Sequence, residues 1–147
     1  MASKLVNDHK YVNVFTNEES LIRVVYDFDE DAGALGSSTP LTLFTANDDL
    51  VITEFYVRGI TVLDSAADGT SIDVGVAGGT TDILLNGVVE ASFSADALIQ
   101  PTIVEGTPNV LPLPLYVPKD DKVEMLIVDE ALTSGKCEFV FKVCKFK

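Results

Sequence analysis

Lys136-Cys137-Glu138-Phe139-Val140-Phe141-Lys142-Val143-Cys144-Lys145-Phe146 puts Cys137, Phe139, Phe141 and Val143 at every second position. A repeat of two is that of an extended strand, whose successive side chains point to opposite faces. The stretch therefore predicts a long strand with these four residues turned toward a core. The same repeat recurs in Ser20–Phe28, where Ile22, Val24, Tyr26 and Phe28 share one face and Arg23 and Asp27 the other. In Lys122–Asp129 the inward set is Val123, Met125 and Ile127. Val51, Phe55 and Val57 also share one parity, which passes to Ile60 and Val62 after Arg58-Gly59. One inserted residue produces such a change, so Gly59 is read as a β-bulge or as a corner where the strand changes sheets.

Shorter strands are expected at Tyr11–Thr16, Leu41–Thr45, Ser71–Ala77 and Val110–Val117. Helical signals are few. Thr81–Gly87 reads as one turn closed by Gly87, and Ser94–Ile99 as another, halted before Pro101. Asp29–Pro40, Asp64–Thr70 and Glu105–Asn109 carry loop composition. About eight or nine short strands between turn clusters specify an all-β chain, an antiparallel β-sandwich of jelly-roll-like form with one or two short helical turns.

At 147 residues and 15.8 kDa this is one domain, 1–147, with residues 1–19 read either as an N-terminal arm or as the start of the sandwich. Area scaling buries about two thirds of the unfolded surface, enough for a core without disulfide or metal staples. An apolar share of 47% and a mean hydropathy of +0.28 are high beside 22% charged residues. They fit either a core dense in Val, Ile and Leu or apolar surface covered by another subunit. A net charge of −13 argues against nucleic-acid binding, which needs a cationic face. The last twelve residues oppose this balance, with Lys136, Lys142, Lys145 and Lys147 against Glu138. They read as a docking end or as an edge strand guarded by lysines. The polar opening decapeptide lacks the apolar segment of a secretory leader, and no apolar run is long enough to span a bilayer, so synthesis in a cytoplasm and no membrane partner are expected.

The chain is poor in catalytic parts. His9 is the one histidine and lies in a polar end, so a Ser-His-Asp or Cys-His arrangement would depend on it. Gly75, Gly78 and Gly79 do not match a dinucleotide fingerprint, and there is no Walker loop. Two cysteines and a remote histidine do not make a zinc site. Cys137 and Cys144 are seven apart, so on one strand they face opposite ways and do not bridge each other. Cys137 reads as core; Cys144, with Phe146 on the other face, reads as an interface or simply reduced thiol. Asp27-Phe28-Asp29-Glu30-Asp31-Ala32-Gly33 alternates carboxylates as a calcium loop does, but its glycine and closing position depart from the EF-hand pattern. Solvated loop tips explain it and the acidic pairs Asp48-Asp49, Asp120-Asp121 and Asp129-Glu130 as well. The absence of Trp leaves a sugar-stacking cleft poorly supplied, and one histidine is too few for a cupin metal site. No catalytic residue, metal or cofactor is expected, and the chain is read as noncatalytic. Asn109–Pro118 is apolar and broken by prolines that cannot donate to a ladder, which confines it to an edge or an arm. Its Leu111, Leu113, Leu115 and Tyr116, with Lys142, Cys144 and Phe146 of the closing strand, form the candidate interface.

Ser71–Val88 with its strand, glycine corner and Asp82, the Leu111-Pro112-Leu113 loop, the Lys122–Val128 strand and the closing Thr133–Val143 together resemble small β-sandwich proteins of tailed bacteriophages. These are decoration, head-fibre or minor capsid proteins, and the resemblance covers roughly residues 50–147. It implies a noncatalytic virion protein bound to the outside of the head and bracing it, with the major capsid protein of the same virus as partner and a homotrimer as its state. A tail or head-fibre component that binds a receptor or glycan is the alternative. The family has no motif matching Cys144 or the lysine-rich end, and the first ~45 residues lie outside the resemblance.

Overall fold

The computed structural model describes residues 11–16, 19–31, 40–76, 81–101 and 112–145, with 11–16 and 81–83 as backbone only. In chain order the elements are β1 (Tyr11–Thr16), β2 (Glu19–Asp27), the single turn α1 (Phe28–Asp31), β3 (Leu41–Thr45), β4 (Leu50–Ser65) and β5 (Ser71–Val76). They continue with β6 (Thr81–Val89), a 3-10 turn (Glu90–Ser92), β7 (Leu98–Ile99), β8 (Leu115–Val117), β9 (Lys122–Val128) and β10 (Leu132–Lys145). One sheet runs β1-β2-β10-β4-β7, with β8 also on β4; the other runs β3-β9-β5-β6. Every pairing is antiparallel. No described helix is long and apolar enough to cross a membrane.

The topology is that of a doubled chain rolled up. Folded about the β5–β6 connection, the chain pairs β5 with β6, β4 with β7 and β8, β3 with β9, and β2 with β10. Rolling that ribbon then brings β10 against β4 and β5 against β9. This is a jelly roll, with β1 added at one edge.

Between the sheets lies one core. Its β2 and β10 contributions are those the repeat predicts: Ile22, Val24 and Tyr26 lie beside Phe141, Phe139 and Cys137 on the inner face of one sheet, with Val143. Val123, Met125 and Ile127 enter from β9. Phe141 sits at the centre, its ring 5.0 Å from Phe44 edge-on and 4.9 Å from Phe55. Such aromatic pairs stabilise beyond the area they bury.

Several expectations are corrected. Thr81–Gly87 is not a helical turn but the body of β6, because β5 supplies ladder partners along its length. Gly87 does adopt the positive φ expected of it, +64°, yet as a bulge residue: Ile72 pairs Val88 and Val74 pairs Leu85, leaving Asn86 and Gly87 opposite Asp73. The Asp73 carboxylate accepts the Gly87 amide at 2.6 Å. In place of a helical turn over Ser94–Ile99 there is a single hydrogen-bonded turn, Ala97 N to Ser94 O, followed by β7. The helical turns described lie at Phe28–Asp31, with Phe28 read above as strand and Asp29–Asp31 as loop, and at Glu90–Ser92.

β4 stays in one sheet throughout. A register shift beside Gly59 confirms the bulge there, with Lys136 opposite Thr61 and Cys137 opposite Gly59. A second irregularity follows, so Leu63 and Ser65 turn inward and Val62 is exposed rather than buried. A further bulge lies between Ile52 and Glu54, which turns Leu50 and Ile52 inward and Val51 outward. β10 is not an edge strand; it runs between β2 and β4.

Candidate functional site

The outer face of the six-stranded sheet follows from the registers, since directly paired residues share a face. Rows across β2, β10 and β4 read Val25–Glu138–Arg58, Arg23–Val140–Tyr56 and Leu21–Lys142–Glu54. Leu98 of β7 extends the Arg58 row, and Tyr116 of β8 pairs Val51, which in turn pairs Cys144. Leu21, Tyr56, Leu98 and Tyr116 are 48%, 40%, 65% and 45% exposed on this face. It thus exposes several large apolar groups to water on one face.

Charge on the same face is locked. Glu138 accepts from both Arg23 Nε at 3.1 Å and Arg23 Nη2 at 3.0 Å, and Arg58 Nε lies 3.7 Å away. The bidentate bond is the strong form of such a pair. Each lysine of β10 also meets an acid: Lys136 with Asp27 of β2, Lys142 with Glu19 of β2 and Glu54 of β4, and Lys145 with Asp48 of the β3–β4 loop. The described lysines of the positive end read from the sequence are therefore paired within the chain.

The expected interface residues fall into three groups. Tyr116, Lys142 and Cys144 belong to the outer face, Tyr116 exposed and the other two half-buried. Leu113 and Leu115 pack into the chain's own core together with Val117, so one side of the proline segment covers that core while Pro114 and Tyr116 face outward. Leu111 and Phe146 lie outside the described residues, as does His9. Cys137 is core, and burial pushes its thiol up, so it stays protonated at neutral pH.

The acidic run at 27–31 does local work. Asp31 Oδ2 accepts the Asp27 amide at 2.9 Å, Asp27 Oδ1 accepts the Asp29 amide at 3.0 Å, and Asp27 pairs Lys136. A different set of carboxylates converges instead: Asp64, Asp68 and Glu90 each bring an oxygen within 4.8 Å of the others. Sequence reading missed this set and the Arg23–Glu138–Arg58 cluster. Asp64-x-x-x-Asp68 at the loop was visible, but Glu90 joins it only through the β5–β6 pairing.

No protein-family model matches the sequence, and no curated protein does. In fold the chain is similar to a chain of the cyanophage Pam1 capsid asymmetric unit, with a TM-score of 0.53 and 14% identity over 98% of this chain and 92% of that one.

Proposed function

We propose that this chain is a noncatalytic structural protein of a phage virion, a decoration protein that binds the outer surface of the capsid and stabilises it. The likeness to a chain of a phage capsid asymmetric unit, end to end over 98% of this sequence, carries the reading. The exposed outer face of the six-stranded sheet agrees with it. A face bearing exposed Leu21, Tyr56, Leu98 and Tyr116 together with a clamped Glu138 suits a partner surface that is apolar with a polar register. The partner is the major capsid protein of the same virus, and the chain acts as a homotrimer. Many weak contacts per particle then sum to firm attachment.

The test uses heads assembled from that major capsid protein without this chain. Added protein should co-sediment, saturate at a fixed ratio to capsid subunits, and raise the temperature at which the heads rupture. Its native mass should be three times 15.8 kDa. The double variant Tyr56→Asp, Leu98→Asp should fold yet lose attachment. Heads that neither retain the wild-type chain nor gain heat resistance would overturn the decoration role.

A further inference from the structure

The loop after β4 and the segment after β6 lie side by side because β5 and β6 pair down to Ser71↔Val89, and the Glu90 amide donates to the Thr70 carbonyl at 3.1 Å. Asp64 is the penultimate residue of β4, Asp68 sits in the loop, and Glu90 opens the 3-10 turn. The first two are exposed, but Glu90 is only 4% exposed. Its Oε2 is fully buried with no hydrogen-bond donor. No lysine or arginine pairs with any of the three carboxylates among the described residues.

A buried carboxylate oxygen that has lost its water and gained no donor is costly, and two more carboxylates beside it raise the cost. The loop is not drawn into this position by the three acids themselves. Glu130 holds it from another side, accepting the Ala67 and Gly69 amides at 3.1 Å while its carbonyl accepts Thr70 Oγ1 at 2.6 Å.

The geometry points to a divalent-cation site at Asp64, Asp68 and Glu90, with calcium as its occupant. The donors are all hard oxygens. Calcium binds oxygen at about 2.3–2.6 Å, so opposed ligands lie roughly 4.6–5.2 Å apart, a span that takes in the 4.8 Å spread. Magnesium demands a tighter, near-octahedral shell of about 2.0–2.1 Å, which one buried and two exposed carboxylates do not preform. Water completes the exposed side. Bound calcium ties the β4–β5 loop to the end of β6 and supplies the partner that Glu90 Oε2 lacks.

The experiment is thermal unfolding of the full chain in EDTA, in 10 mM calcium chloride, in 10 mM magnesium chloride, and in sodium chloride of equal ionic strength. A three-carboxylate site with two exposed ligands belongs to the weak class, Kd about 10⁻⁴–10⁻³ M, so 10 mM calcium should raise Tm by roughly 4–8 °C. Glu90→Gln should abolish the rise. Asp68→Asn, in an exposed loop braced by Glu130, should fold normally and lose most of it. Equal Tm values in calcium and in sodium chloride would overturn the site. So would a calcium rise that survives in both variants, which would be screening of the −13 net charge. A magnesium rise as large as calcium's would overturn the choice of ion.

Discussion

Gly59→Ala tests whether the wall beside β4 is packed as described. A Cβ built at Gly59 meets Ser94 O at 1.9 Å and Ser94 C at 2.8 Å, both backbone atoms. Ordinary contact needs about 3.4 Å, so the 94–97 segment must retreat by about 1.5 Å. That segment is tied to Gly59 by two hydrogen bonds of 2.9 Å, Gly59 N to Ala97 O and Asp96 N to Gly59 O. Losing both costs about 2 kcal/mol, and disturbing the adjoining fully buried Phe93 adds about 1–2 kcal/mol. Alanine's stiffer unfolded chain returns about 0.5–1 kcal/mol, for a net loss of about 3 kcal/mol, or roughly 6–12 °C in Tm. Gly87→Ala is the control. No atom lies within 4 Å of its Cβ, so it carries only the strain of φ +64°, about 1 kcal/mol. Urea unfolding of both variants, with m unchanged, measures the difference. A Gly59→Ala loss equal to or smaller than that of Gly87→Ala would refute the close approach.

Burial pushes the Tyr26 hydroxyl up, and its oxygen is buried without a partner. Tyr26 therefore stays neutral when folded but ionises near 10 when unfolded, so its stability contribution is intact below pH 10 and falls as pH rises beyond. Tyr26→Phe should equal or exceed the wild type at pH 7, since it removes an orphaned hydroxyl, and should lose less stability between pH 9 and 11 in denaturant titrations. Ellman's reagent at pH 8 should find Cys137 silent in the native chain and reactive in guanidinium, because its thiol is buried and held protonated; Cys137 labelling in the native chain would contradict its place in the core. Glu138→Gln should destabilise by ~1 kcal/mol, discounted because Arg23 is more than half exposed, and the deficit should shrink in 0.5 M salt. A deficit unchanged by salt, read from urea midpoints, would show that packing rather than charge holds that row.

The strands with an unbroken repeat were legible from the sequence, because burying one face of a strand fixes its parity by itself. Cys137, Phe139, Phe141 and Val143, and Ile22, Val24 and Tyr26, needed no partner to be assigned. The all-β class and the sandwich follow from those. Bulges break that logic, since an inserted residue is dictated by the strand opposite. Gly59 announced its bulge; the one at Ile52–Glu54 carried no such mark, and the sequence put Val51 on the wrong face. Gly87 signalled a positive φ correctly, but whether that closes a helix or bulges a strand depended on β5 lying alongside. Tertiary structure alone made β10 a central strand, so that its lysines meet Asp27, Glu19, Glu54 and Asp48 instead of guarding an edge. It likewise turned Leu113 and Leu115 into core and gathered Asp64, Asp68 and Glu90. Local chemistry is written at each position, whereas convergence is set by which distant strands pair, and that pairing is a property of the whole rolled ribbon.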